Sequence, residues 1–206
     1  MLLAIDTSSG TSVAVVDAAG TVLAEHTETD TMRHAEVVGR LLVDALASAG
    51  LRPAGIDAVA VGMGPGPFTG LRVGIAAARA FAFGRGIPTV PVVSHDAIAL
   101  SALRHGRAPG FLVVTDARRR ELYWSAYDGL DEGGLPVRVA GPGLDKPSSL
   151  PFPELPRLEA EMVSAGALGA VAALSRAAGR PAAVDEPLYL RSPDVTLSAG
   201  PKRVSA

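Results

Sequence analysis

Val61-Gly62-Met63-Gly64-Pro65-Gly66-Pro67-Phe68-Thr69-Gly70-Leu71-Arg72-Val73-Gly74, continued by Ile75 to Phe83, joins an apolar strand to a helix through a loop of alternating Gly and Pro. A Gly-rich turn of this kind can cradle a phosphate, because Gly lets backbone N–H groups approach an anion and the helix start carries partial positive charge. The lysine of a P-loop is missing. The competing reading is steric: a helix face of Gly and Ala admits another element at very close range. Between Val73 and Phe83 the only charge is Arg79, so this helix is apolar nearly all round and needs cover on more than one side. One sheet covers one side; a second helix or a second chain must cover the rest.

Upstream, Leu2-Leu3-Ala4-Ile5-Asp6 reads as a strand ending in a carboxylate, followed by the hydroxyl-rich turn Thr7-Ser8-Ser9-Gly10. Thr11 to Asp17 and Thr21 to Thr27 complete an antiparallel meander. Met32 to Ser48 has helical periodicity, with Asp30 or Thr31 as its cap and Gly50 at its end. Ile56 to Met63 is β-branched and apolar, as in a strand buried on both faces. Downstream, the central helix ends near Gly84 or Gly86, Thr89 to Val93 is a strand, and Ser94 caps a helix reaching about Leu103.

Past Arg104 to Pro109 the opening pattern returns. Phe111 to Asp116 is again an apolar strand ending in Asp, and Leu122 to Tyr127 returns beside it, which indicates a degenerate internal duplication. The second turn, Ala117-Arg118-Arg119-Arg120-Glu121, has lost the small polar residues of the first. Gly129 to Pro156 reads as loop with one short strand around Val137 to Ala140; Leu158 to Ala178 reads as an Ala-rich helix broken around Gly166 to Gly169 and stopped by Gly179. Pro187 to Arg191 is extended.

Composition narrows the function classes. The chain has 206 residues, 48% hydrophobic and 19% charged, ample for a large core and unlike a disordered segment. A formal net charge of −2 gives no general attraction to nucleic acid or anionic membrane, so any RNA contact is local or made through a partner. With no Cys, a disulfide scaffold, a thiol nucleophile and a thiolate metal site are excluded. No signal peptide is evident and no apolar run approaches ~18 residues, so the expected place is the cytoplasm, without membrane contact.

Asp6, Thr7 and Ser8 with Gly64, Gly66 and Thr69 are the candidate phosphate or nucleotide contacts. An Asp at a strand end can hold hydrated Mg²⁺ while hydroxyls and amides meet phosphate; it can equally close an Asx turn on its own backbone. The histidines His26, His34, His95 and His105 include no pair at zinc-ligand spacing, so no metal residue is assigned and His34 is expected at a surface or interface. Arg118 beside Tyr123 and Trp124 is a candidate polar contact in a cleft. No Gly-x-Ser-x-Gly elbow is present.

Leu3 to Ser8, Gly64 to Gly74, the Arg118 to Trp124 hairpin and the Pro187 to Arg191 ending together resemble the TsaB family, also called YeaZ, a subunit of the bacterial tRNA threonylcarbamoyladenosine complex. The resemblance covers about residues 1 to 191, and the central motif is shared with the catalytic relative TsaD. It implies an α/β, actin-like (RNase H-like) fold of two lobes, with a duplicated strand-turn-strand core and a reduced second lobe. The expected division is 1–106, 107–192 and a flexible tail, 193–206. TsaD carries a metal-binding His-x-x-x-His; this chain has only His34 in that region, so the metal site is not carried over.

The implied role is a non-catalytic partner that supports TsaD in transferring threonylcarbamoyl to adenosine next to the tRNA anticodon. A TsaE-type ATPase is expected in the assembly, tRNA is met indirectly, and a homodimer forms when the chain is alone. No cofactor is expected to bind stably, with ATP or ADP contact confined to a subunit junction. The partner interface maps to Val37, Val38, Leu41, Leu42 and Ala45 on the first helix and Gly70, Leu71, Gly74, Ala77, Ala78 and Phe81 on the second. The alternatives are an ATP-binding kinase or ATPase working through Asp6 and the Gly64 to Gly70 loop, and a glycoprotease.

Overall fold

The strands β1 (Leu2–Asp6), β2 (Thr11–Val16) and β3 (Val22–Glu28), with β4 (Ala58–Gly62) and β5 (Thr89–Val92), form one mixed sheet in the order β3-β2-β1-β4-β5. The computed structural model describes residues 1–180 and 183–191; the expected tail at 193–206 lies outside them. A second sheet holds β6 (Phe111–Asp116), β7 (Leu122–Leu130), β8 (Pro136–Asp145) and β9 (Arg157–Glu159) in the order β8-β7-β6-β9. Helices α1 (His34–Ser48), α2 (Phe68–Arg85), α3 (Ser94–Arg104) and α4 (Ala165–Ala177) cover them.

The two sheets repeat one plan. In each, the first strand pairs antiparallel with the second, the second antiparallel with the third, and the first parallel with the fourth. The second copy lacks a helix between its third and fourth strands, where residues 146–156 form a connection without helix or strand, and among the described residues it has no fifth strand. This is the duplicated, actin-like α/β plan with a reduced second half. β1 and β4, covered on both faces, are buried along their whole length and are apolar except for Asp6 at the end of β1.

Several elements differ from expectation for identifiable reasons. The stretch from Gly129 is chiefly strand: β7 runs on to Leu130 and β8 spans ten residues, half-buried at most, so its Gly and Pro masked the ladder. The short strand β9 had no sequence signal of its own. α4 is unbroken through Gly166 and Gly169; a Cβ at Gly169 would fall 3.2 Å from the Ala4 Cβ, so these glycines bring the helix down onto the first sheet. Neither Asp30 nor Thr31 caps α1, which begins at an uncapped Arg33, while the Asp30 carboxylate accepts from the Met32 amide. Ser94 is inside α3, not its cap.

The division at residue 106 is also not how the layers pack. α4, from the C-terminal half, lies against β1, β2 and β3 of the first sheet and against α3. α3, from the N-terminal half, lies against β6, β7 and β8 of the second. The helices are exchanged, and one core cluster runs from Leu2 and Ala60 through Ile98 to Phe111 and Tyr127.

Three consecutive residues at the start of α3 tie the halves together. Ser94 Oγ donates to Asp6 Oδ2 at 2.5 Å. His95, fully buried, lies 2.8 Å from Ser125 Oγ through Nδ1 and 3.0 Å from Thr115 Oγ1 through Nε2. Asp96 Oδ1 accepts from Tyr127 Oη at 2.7 Å and Arg138 Nε at 3.1 Å. Burial drives the His95 pKa down to about 3 and raises that of Asp96 against the pull of Arg138.

Because the folded pKa of His95 lies below its unfolded value, the unfolded chain binds the extra proton, and stability is lost as pH falls from ~6.5 toward the folded value. Asp6 and Asp96, with raised pKa values, act with the opposite sign. Comparison with His95→Gln in urea melts isolates the histidine: the native chain should lose roughly 1 kcal/mol per pH unit relative to the variant between about pH 6 and 4. A flat difference would contradict the buried neutral imidazole.

Candidate functional site

The first candidate site is the end of β1, where the main chain turns from strand to strand. Asp6 is 2% exposed. Its Oδ1 accepts from the Ser8 amide at 2.8 Å and from Ser8 Oγ at 2.6 Å, and its Oδ2 from Ser94. Burial raises the Asp6 pKa, opposed by the hydrogen bonds from Ser8 and Ser94. The Asx-turn alternative describes this carboxylate: both oxygens serve the protein interior. Ser94 in turn accepts from the Gly64 amide at 3.1 Å, locking the Gly-Pro loop to the strand end. The residues at Asp6 therefore do not fit a hydrated Mg²⁺.

Thr7 and Ser8 are buried as well. Thr7 Oγ1 donates to Gly70 O at 2.7 Å and accepts from the Gly74 amide at 3.1 Å. The glycines of the central stretch exist for this contact. A Cβ at Gly66 would fall 2.8 Å from Ser8 Cα, one at Gly70 2.6 Å from Thr7 O, and one at Gly74 well inside contact distance of Thr7 Oγ1. Gly64 and Gly66 are buried too, whereas Thr69 is exposed.

This corrects the partner-interface mapping. The small-residue face of α2 receives the β1–β2 turn of its own chain, not a partner helix. Val37, Val38, Leu41, Ala45, Gly70, Leu71, Gly74 and Ala78 are all buried within the chain; Leu42, Ala77 and Phe81 are half-buried. The register error has a simple cause: the stripe that looked free belongs to the intramolecular core, and the opposite side of each helix is the open one. His34 is likewise buried, its Nδ1 2.8 Å from Thr11 Oγ1, with its pKa lowered by burial.

Between the halves lies a cleft. A cavity of about 570 Å³ is lined by Ser8 and Ser9 on one side and by Asp116, Arg118, Arg157 and Glu159 on the other. A second, of about 310 Å³, lies between the starts of α1 and α2. Arg118 and Thr31 line both, and Arg118 Nη2 donates to Thr31 Oγ1 at 2.7 Å. Arg118, Arg119 and Arg120 all have left-handed backbone, with φ of 63°, 54° and 61°. Such a run is costly for side-chain-bearing residues and persists where neighbours hold it. Here the Arg118 amide donates to Asp116 Oδ1 at 2.9 Å, Arg191 Nη2 donates to Arg118 O at 3.3 Å, and Arg191 also pairs with Glu121.

Residues 183–191 act as a strap. The Leu188 amide donates to Met63 O at 2.8 Å, Arg79 pairs with Asp185 at 2.9 Å, and Tyr189 packs on Phe68 with ring centroids 4.7 Å apart. Sequence reasoning singled out Arg118 but missed Thr31, Asp116, Arg157 and Glu159. Each is an ordinary polar residue at an element end, and only the pairing of the two sheets brings them to one cavity. Among the described residues no His, Asp or Glu cluster could hold a metal ion, and no helix is long and apolar enough to cross a membrane.

Known proteins share the sequence and the fold of this chain. A family model described as TsaD, tRNA N6-adenosine threonylcarbamoyltransferase, matches residues 21–193. An uncharacterised protein of Mycobacterium tuberculosis is 44% identical over 183 residues, covering 84% of this chain and 82% of the relative. The tRNA threonylcarbamoyladenosine biosynthesis protein TsaB of Escherichia coli is 36% identical over 134 residues, 65% of this chain and 57% of the relative. The solved structure of YeaZ from Pseudomonas aeruginosa matches with a TM-score of 0.77 at 28% identity, covering 92% of this chain and 99% of that one.

Two glycine substitutions separate the inward from the outward faces. Gly74→Ala should cost about 2–4 kcal/mol in urea unfolding, since its Cβ meets Thr7 and the buried turn behind it. Gly39→Ala, on the open side of α1 with no atom within 4 Å of the added carbon, should stabilise by up to ~1 kcal/mol.

Proposed function

The chain belongs to the family described as TsaD, tRNA N6-adenosine threonylcarbamoyltransferase, and within it we propose that it is the non-catalytic, TsaB-type partner of a TsaD-type catalytic subunit. It is a subunit of the tRNA threonylcarbamoyladenosine biosynthesis system. The supporting role rests on Asp6: the carboxylate that a nucleotide-using member of this fold would present to metal is turned inward and bound on both oxygens. The second half-site has lost its small polar turn, and the kinase or ATPase reading has no free carboxylate at the first. For a glycoprotease, the Thr115 hydroxyl at the cleft wall has His95 Nε2 at 3.0 Å, but burial lowers that imidazole's pKa to about 3, too low for a general base near neutral pH.

The observation that carries the docking surface is the outer side of α1 and α2. Val43 is 62% exposed and Phe83 91%, each within a helix of an otherwise apolar core protein. Around them lie exposed Gly39, Ala76 and Ala80 and the half-buried Leu42, Val73, Ala77 and Phe81. Small and apolar residues here, interspersed with the exposed charges of Glu36, Arg40, Arg72 and Arg79, suit packing of partner helices with a polar rim. The expected interface therefore moves from the inward side of Gly70 and Gly74 to this outer side, keeping Leu42, Ala77 and Phe81 of the first mapping. The same face supports a homodimer when the chain is alone. A nucleotide, and the TsaE-type ATPase, would meet this chain at the junction with its partner, in the cytoplasm where tRNA is modified.

Ala76→Arg and Val43→Asp should each leave thermal unfolding near that of the unmodified chain, because both side chains stand in solvent. Each should abolish co-purification with the TsaD-type subunit, a loss of at least about 2 kcal/mol in affinity. A folded Ala76→Arg chain that assembles normally sinks this placement.

A further inference from the structure

The smaller cavity, between the starts of α1 and α2, has features that neither the core nor the partner surface explains. α2 is a helix of 18 residues whose N-terminus has no side-chain cap and no acidic residue in its first turn. Its first amides and its dipole are thus uncompensated. Thr69 and Gly70 of that turn line the cavity. Opposite them is His34, only 8% exposed, which also lines the cavity. Its Nδ1 is engaged by Thr11, while Nε2 has no hydrogen-bond partner among the described residues and lies beside Gly70. In the tautomer in which the Thr11 hydroxyl donates to Nδ1, Nε2 carries the proton and presents a donor to the cavity, and a bound anion would select that tautomer.

Arg118 reaches in from the second half and is held there by Thr31. Three donors of different origin therefore converge: helix amides, an imidazole and a guanidinium. The start of α1 contributes less, because the Asp30 carboxylate sits at it. The rest of the lining is Met32, Ala35, Pro67 and Val73, which are apolar, and Ser8.

We propose that this cavity of about 310 Å³ is a binding site for the oxyanion of a small ligand, a carboxylate or a phosphate, with His34, Arg118 and the Thr69–Gly70 amides as its donors and the ligand's apolar part against Met32 and Val73. The site lies wholly within this chain and does not depend on the partner reading. It shares Ser8 and Thr69 with the phosphate contacts expected around Asp6, but not the Asp6 carboxylate, whose oxygens are bound in the core.

Heteronuclear NMR on the full chain, titrated separately with inorganic phosphate and with butyrate, tests it. Saturable shifts at the Thr69 and Gly70 amides and the His34 imidazole are expected with at least one probe, and the probe that binds distinguishes phosphate from carboxylate. Arg118→Gln or His34→Gln should weaken that binding about tenfold, with the rest of the spectrum unchanged as the control for folding. Absence of saturable shifts up to about 50 mM of either probe overturns the site, as does equal affinity in both variants.

Discussion

The structure depends on a distance that side chains do not allow. Gly66, Gly70 and Gly74 bring α2 and its leading loop against Thr7 and Ser8 so closely that the backbones touch, and Gly62 of β4 leaves room for the Asp6 carboxylate beside it. From that approach follow the burial of Asp6, the clamp of Thr7 on Gly70 and Gly74, and the tie of Ser94 to both the strand end and the loop. A motif that resembles a phosphate cradle thus has its hydroxyls and carboxylate consumed by its own fold. The chemistry that remains available lies one helix turn away, at Thr69, His34 and Arg118.

The second organising feature is the exchange of helices between the half-structures. α3 and α4 each cover the sheet of the other half, and the residues Ser94, His95 and Asp96 bond to β1 and to β6, β7 and β8 within one turn of helix. Buried polar groups of this kind are tolerated because each has its partners, and leaving one unpaired costs more than the bond yields. They also specify how the halves meet, which in turn shapes the cleft. Arg118 and the strap at 183–191 close that cleft at its rim through Thr31, Glu121 and Met63.

How far the sequence reaches is clearest element by element. The strand Phe111 to Asp116 and the stop of α2 near Gly84 or Gly86 were legible because apolar runs and glycines are local signals, and the structure places the stop at the left-handed Gly86. The length of β8 and the existence of β9 were not, because their half-buried ladders depend on β7 and β6 being alongside. The glycines of α4 suggested a break, whereas close packing on Val16 and Ala4 is what they serve. At the site, Asp6, Ser8 and Arg118 could be named from their positions, while Ser94, Thr31 and His34 acquired meaning only from neighbours 23 to 88 residues away.

By itself the sequence determined the duplicated α/β plan, the family resemblance and the special status of the Gly-Pro stretch, since all three are written in local order: strand, turn, strand, then glycine at fixed spacing. Only the tertiary structure decided which side of α1 and α2 is open. The periodicity of an apolar helix identifies a face but not what covers it, and here two elements, a buried turn and solvent, compete for opposite sides of the same helix. The turn took the glycines because it alone approaches closely enough to need them.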